Sequence, residues 1–427
     1  SYNYASYYSV NNIDPVKINN NKVKITASSS ASCYNYFGYY NYNNTTMNHE
    51  INNNDISIST NGVVYNYMGY QYNGCDLIGN KIYARANSTC YSMYSYGYSS
   101  GTLPWKFLNN DVTAIGGNST CYAMMPYYCS NVTIANNKVY AKGNSTLMGI
   151  YASYNNGGAY IYNNTVHTEG TSTHYTYYGY QSSGSQFATL RNNVFSRSST
   201  GGGYLIYCYQ PQYYDMDYNN LWANGGTLLY FGGLGQSYTN IPALRAGTGQ
   251  NMNSLSYNPG FYSTNPSSPD LRPDPANANS WSLNGRGVQI SGNDKDINGN
   301  NRALTTIAGV PDIGAYEFTP TVTPPNCAMA PAAPTPNGTQ VVTFGGDTVA
   351  VLKWGNTVPT GFAVKQYTGT NPPGITSINP TQMFYYVDFQ GNGTGLDYEQ
   401  DLYYKDPWLG TIASKSALRL AEKVGSN

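Results

Sequence analysis

The stretch VTIANNKVYAKG, from Val132 to Gly143, decides how the chain folds. Val132 and Ile134 before the paired asparagines, and Val139 after them, alternate with the period of two that belongs to a strand. Its centre recurs along the chain as NNKV at Asn20 to Val23, NNDI at Asn53 to Ile56, GNKI at Gly79 to Ile82 and NNDV at Asn109 to Val112. It continues as NNTV at Asn163 to Val166, NNVF at Asn192 to Phe195 and NNLW at Asn219 to Trp222. Counted on the Asn before the variable residue (Asn21, Asn54, Asn80, Asn110, Asn137, Asn164, Asn193 and Asn220), the steps are 33, 26, 30, 27, 27, 29 and 27 residues, about one solenoid coil each. Asn enters the left-handed backbone region more readily than most residues with a side chain, and its amide can bond the same amide one coil away. The pattern predicts an all-β chain, a parallel β-helix of about eight coils with these asparagines stacked in one column. A helical solenoid would need apolar residues at i, i+3 and i+4 among good helix formers, and these segments are Asn, Ser, Thr, Gly and Tyr.

A second phrase follows each corner by about ten residues: YNYFGYY from Tyr34, YNYMGYQ from Tyr65, YSMYSYG from Tyr91, YAMMPYY from Tyr122, MGIYASY from Met148, YTYYGYQ from Tyr175 and YLIYCYQ from Tyr204. Aligned without gaps, its third and fifth places hold apolar or small residues, so strand alternation predicts that places four and six look outward. Place four is Phe37, Met68, Tyr94, Met125, Tyr151, Tyr178 and Tyr207; place six is Tyr39, Tyr70, Tyr96, Tyr127, Ser153, Tyr180 and Tyr209. Two outward aromatic ladders result. Like residues stacked between coils explain part of this, and contiguous exposed aromatic area also marks a surface that meets a partner, another copy of the chain or a glycan.

Composition narrows the partners. Of 427 residues, 47 are Tyr, 45 Gly, 21 basic and 21 acidic. The balance removes the clustered positive charge that binds nucleic acid or anionic membrane. No run approaches the ~18 apolar residues that span a bilayer, and SYNYASYYSV at the N-terminus lacks the basic and apolar regions of a signal peptide, so the text reads as mature or trimmed.

From Tyr257 the repeat gives way to turn-rich text: NPGF at Asn258 to Phe261, SPDLRP at Ser268 to Pro273, NDKDINGNNR at Asn293 to Arg302 and PDIGAYEF at Pro311 to Phe318. This ordered set resembles the closing segment of secreted bacterial right-handed parallel β-helix surface proteins, many of them Bacteroidetes-like, over about residues 20 to 318. The resemblance implies export to the cell surface and a right-handed helix. It implies no single activity, because the fold hosts lyases, hydrolases, epimerases and adhesins. The sequence divides into a β-helix with its closing segment at 1–318, a Pro-rich linker at 319–337 and a β-sandwich, Ig-like module at 338–427. That module is similar to those preceding the sorting domain of such proteins. The text ends at LAEKVGSN without a closing strand or anchor signal, which reads as a polypeptide that continues.

Residues for catalysis are scarce. Between positions 20 and 230 the acids are Glu50, Asp55, Asp76, Asp111, Glu169, Asp215 and Asp217, and none lies in the seven Tyr phrases. Asp215 and Asp217 alternate onto one strand face and form the best carboxylate pair for a hydrolase or lyase. His49, His167 and His174 have no metal-ligand spacing. Asp294, Asp296, Asn298 and Gly299 mimic half a calcium loop, but the ligand expected six residues after the Gly is Thr305, which favours a hydrogen-bonded turn over calcium. No cofactor is expected. Cys90 and Cys121 share the context NSTCY and should stack one coil apart, as a disulfide or as two buried thiols.

The leading expectation is a non-catalytic extracellular structural or adhesive protein. It would be a rod whose outward residues Phe37, Tyr39, Tyr70, Tyr94, Tyr96, Tyr127, Tyr151, Tyr178, Tyr180, Tyr207 and Tyr209 contact another copy or a surface polysaccharide. The alternative is a polysaccharide lyase or hydrolase of the pectin-lyase-like type.

Overall fold

The computed structural model describes residues 2–7, 14–28, 30–41, 46–98, 101–182, 186–198, 201–373, 383–393 and 396–420. Three sheets wind into a parallel β-helix. The first, of ten strands, contains the Tyr phrases (among them Cys33–Asn41, Cys90–Gly97 and His174–Tyr180); the second has seven short strands, such as Trp105–Leu108 and Val132–Ala135; the third has eight, such as Lys81–Ala86 and Lys138–Gly143. Inward residues from all three, including Ile82, Met93, Phe107, Ile134, Val139 and Ile150, form one continuous core. Seven strands in the shortest sheet correspond to about seven full turns.

The double asparagine at the corner from second to third sheet divides its work. The first residue takes the left-handed conformation, with φ between 51° and 61° at Asn20, Asn53, Asn109, Asn136, Asn163 and Asn192, and 69° at Gly79. The second forms the rung. Asn54 Nδ2 donates to Asn80 Oδ1 (2.9 Å), Asn80 to Asn110 (3.0 Å), Asn110 to Asn137 (2.9 Å), Asn137 to Asn164 (2.9 Å) and Asn164 to Asn193 (2.9 Å), while Asn21 donates to Asn54 (3.0 Å). The last rung corrects the expected column. Asn193 donates to Asn219 (3.0 Å), not Asn220, because Tyr218 at φ 55° takes the corner and the phrase slips by one residue. Asn220 instead pairs with Val194, and its side chain bonds Ser282 and the Tyr257 N–H.

Beyond the last coil, the helix Ile241–Thr248 is capped by Asn240, which accepts from the Ala243 N–H, and ends at Gly249 (φ 66°). The chain then turns back along the outside of the rod. Val288, Lys295, Asp312 and Gly314 meet the outward side chains of the left-handed asparagines: Asn192 Nδ2 donates to Val288 O (2.7 Å), Asn136 Nδ2 to Lys295 O (2.9 Å) and Asn163 Nδ2 to Asp312 O (3.1 Å). The DIGAYE motif is therefore a strap across the corner column. Its glycine allows the closest approach, since Gly314 has φ 101° and a Cβ there would lie 2.7 Å from Thr165 Oγ1 and 2.9 Å from Val194 Cγ2. Gly314→Ala is expected to destabilise the strap by about 2–3 kcal/mol through backbone strain and overlap, read as faster proteolysis between 285 and 318 while the coils keep their circular dichroism.

The C-terminal residues form a four-stranded antiparallel sheet and a two-stranded one. Ala328–Ala330, within the Pro-rich stretch expected to be a linker, is the edge strand of the first and pairs with Thr339–Phe344. Leu283 and Ile313 of the strap share a core with Val342, Phe344, Leu352 and Trp354 of the sheets. Asn284 Nδ2 donates to Thr368 O (2.7 Å) and Trp408 Nε1 to Gly285 O (2.8 Å) across the same junction. Residues 421–427, in which the chain was read as continuing, lie outside the described residues.

Candidate functional site

The first sheet carries three outward columns of tyrosine, not two. From the strand Cys33–Asn41 onward each strand places two consecutive residues inward, and the position of that pair decides which places look out. In the phrases from Tyr34 and Tyr65 the inward pair is Phe37–Gly38 and Met68–Gly69, with the glycines at φ 93° and 75°. From the next coil on it lies two places earlier, as at Ser92–Met93, Ala123–Met124 and Thr176–Tyr177. Tyr67 consequently pairs with Tyr94, across a register shift that a gapless alignment cannot show. Phe37, expected on the surface, is a core residue at 1% exposure, as is Met68 at 0%, and Tyr36 and Tyr67 face out in their stead. Ser153, at the sixth place, is fully buried beneath its neighbours, and its Oγ accepts from the Tyr180 N–H (3.1 Å).

Tyr39, Tyr70, Tyr94, Tyr96, Tyr127, Tyr151, Tyr178, Tyr180, Tyr207 and Tyr209 all lie on the outer face, half-buried among one another. Place one supplies the column that sequence reasoning missed: Tyr2, Tyr34, Tyr65, Tyr91, Tyr122, Tyr175 and Tyr204. Tyr128 and Tyr154 enter the left-handed region at the next corner and extend the third column (φ 54° and 55°). Ring centroids repeat at 4.9 Å for Tyr4–Tyr36 and Tyr39–Tyr70, 5.0 Å for Tyr91–Tyr122, 4.4 Å for Tyr178–Tyr207 and 4.3 Å for Tyr180–Tyr209. Along the strand they stand 6.3 Å apart at Tyr34–Tyr36 and 6.0 Å at Tyr65–Tyr67. Interplanar angles are 3° at Tyr4–Tyr36, 5° at Tyr36–Tyr67 and 3° at Tyr178–Tyr207, and coplanar rings side by side would collide at such separations. At these pairs the rings overlap face over face between coils, with edges and hydroxyl tips outward, while Tyr65–Tyr91 (76°) and Tyr151–Tyr178 (73°) meet edge to face.

Desolvation by neighbouring rings raises the phenols. Tyr180 is pushed up to about 12 by burial and by its hydrogen bond with Tyr209, and Tyr67, Tyr94 and Tyr178 go further. The face is neutral: its nine parallel strands contain no Asp, Glu, Lys or Arg. Charge sits on the other two sheets, in pairs that join adjacent coils: Lys17–Glu50 (2.8 Å), Lys106–Asp76 (3.2 Å), Lys138–Asp111 (2.7 Å), Lys142–Glu169 (2.5 Å) and Arg191–Asp215 (2.6 Å).

The carboxylate pair is brought onto one strand face, and both members are engaged. Asp215 holds Arg191, and Asp217 accepts from the Asn253 N–H (2.6 Å), Asn253 Nδ2 (2.8 Å) and the Tyr218 N–H (2.9 Å). His167 lies between Ser196 Oγ (2.9 Å) and Ser198 Oγ (3.1 Å), under the Phe261 ring, and burial lowers its pKa to about 4. Burial lifts Glu317 to about 7, although Arg302 is bonded to it, inside the strap. Perturbed carboxyls often mark active sites; this one accepts from the Asp312 N–H (3.0 Å) and anchors a turn. Asp296, 1% exposed, accepts from the Asn298, Asn300 and Glu317 N–H groups and from Asn300 Nδ2, the role of a turn anchor. No group of three or more metal-ligating side chains occurs among the described residues. Cys90 and Cys121 are in register as buried free thiols. No helix among the described residues is long and apolar enough to cross a membrane.

No family model, curated protein or solved structure matches this chain.

Proposed function

We propose that the protein is a non-catalytic structural or adhesive component of the cell exterior, and that it works by contact through its tyrosine face. One observation carries the reading. An uncharged aromatic sheet runs along the parallel strands from Tyr2 to Tyr230, while the charged side chains of the parallel strands lie on the remaining sheets, where five ion pairs join adjacent coils. A tyrosine tolerates water through its hydroxyl and offers an apolar ring to a partner, which suits a surface that stays soluble until it is engaged. Thr or Val would stack between coils equally well, so ladder packing alone does not require Tyr. The place outside the cell follows from the closing-segment resemblance.

Turnover is the test. Incubated with pectin, alginate or a chondroitin-type polymer, the protein is expected to release no more reducing ends or unsaturated products than buffer, because no acid stands on the contact face to move a proton. Cleavage that disappears in an Asp215→Asn, Asp217→Asn double variant would replace this reading with a lyase or hydrolase.

A further inference from the structure

We infer that the partner of the tyrosine face is the same face of a second copy, the two rods lying face to face about a two-fold axis. The inference rests on the contact-surface reading and names its occupant. Ring orientation argues first. A sugar bound by aromatic residues stacks its apolar face on an open ring face, but many ring faces here are covered by the next coil, with interplanar angles of 3° to 10° at Tyr4–Tyr36, Tyr36–Tyr67, Tyr39–Tyr70 and Tyr91–Tyr122, and where the stack breaks, as at Tyr65–Tyr91 (76°) and Tyr151–Tyr178 (73°), a ring edge packs on the neighbouring face. What remains is a corrugated surface of ring edges and hydroxyls. Its complement is a surface with the same repeat, in which edges fit between edges and hydroxyls exchange hydrogen bonds. A second copy has that repeat by construction.

Size and charge agree. Nine parallel strands at about 4.8 Å spacing make the face about 38 Å long, and six places at about 3.3 Å make it about 20 Å wide. Two such faces cover about 1,500 Å², within the range of stable protein interfaces. Like faces usually repel through like charges, and this one carries none in its strands. The anatomy is that of an interface as well. Tyrosine gives way to methionine at the middle of the sheet, where Met125 and Met148, each 7% exposed, form an apolar centre within a hydroxyl-tipped surround. A two-fold pairing closes on itself, since each copy's centre meets the other's.

Sedimentation velocity of the full chain, up to about 100 µM, tests this. The expected result is a monomer–dimer equilibrium that the triple variant Tyr96→Ser, Tyr127→Ser, Tyr180→Ser weakens by about 100-fold or more. Ser already occupies place six at Ser153, so the coils accept it, and an unchanged circular dichroism spectrum verifies this. The control Tyr160→Ser, Tyr162→Ser removes two half-buried tyrosines from the second sheet and should leave association unchanged. Association that survives the triple variant, or that the control abolishes equally, overturns the pairing. A wild-type chain that stays monomeric but is held on an insoluble polysaccharide through the same three tyrosines also overturns it, and leaves the contact reading standing. A chain that does neither removes both.

Discussion

Replacing Asn137 by Ala, at an interior rung of the corner column, is expected to cost about 4 kcal/mol. Asn137 is fully buried, and its side chain makes four hydrogen bonds. Oδ1 accepts from the Asn110 N–H (2.9 Å) and Asn110 Nδ2 (2.9 Å), while Nδ2 donates to Phe107 O (2.7 Å) and Asn164 Oδ1 (2.9 Å). Alanine leaves the partners of all four in a place water does not reach, and a buried polar group without a partner costs about 1–3 kcal/mol. Relaxation of the neighbours keeps the total below the simple sum. Asn137→Asp should be no better, because an oxygen then faces the two acceptors that the amide nitrogen now satisfies. Asn21→Ala, at the exposed end of the same column, should cost under about 1 kcal/mol, since water replaces what is lost. Urea midpoints of the three variants measure the contrast, and equal losses at Asn21 and Asn137 would show that the column is not a buried ladder.

Alkali is expected to unfold the chain within one to two pH units above about 10, the phenol pKa of an unfolded chain. Tyr140, Tyr177, Tyr214, Tyr316 and Tyr385 are at most 8% exposed, and burial raises the pKa of each. Below the unfolded value both states hold these protons, and the stability is fully present. As pH climbs toward the raised folded values, the unfolded state sheds protons that the folded state keeps, and stability is lost. Five retained protons amount to about 7 kcal/mol per pH unit, enough to exhaust an ordinary folding free energy. The half-exposed phenols of the face add less, because water screens them. Tyrosinate absorbance should rise together with the loss of circular dichroism in one steep step. Smooth ionisation centred at pH 10 with the fold intact would contradict the burial of these five.

The coil length and the corner were legible because the left-handed residue and the rung each demand Asn, and two such demands side by side leave a visible NN. Their separate duties were not legible, and neither was the slip at Tyr218, because Asn219–Asn220 imitates the phrase one residue late. Parity failed for a specific reason. Gly38 and Gly69 let the strand absorb a residue after Phe37 and Met68, while later coils absorb it earlier, between residues such as Ser92 and Met93 that carry no turn signature. A signal for the strap was present and went unread. The residue after NN is Lys22, Asp55, Lys81, Asp111 and Lys138 in successive coils, then Thr165 and Val194, and charge disappears where Gly314 and Ala315 cover the column.

The strap holds the corner column at Asn136, Asn163 and Asn192, and among the described residues its hydrogen bonds reach no earlier asparagine of that column. Each coil before Asn136 is then held chiefly by the coil on either side of it, through the same rung and the same ladders. Inserting or deleting one whole coil in that region would return every Asn and Tyr to an equivalent neighbour and would leave the fastening at the far end as it was. The length of the rod is thus a free variable, set by the number of copies, and the closure is a fixed fitting that need not be redesigned when it changes.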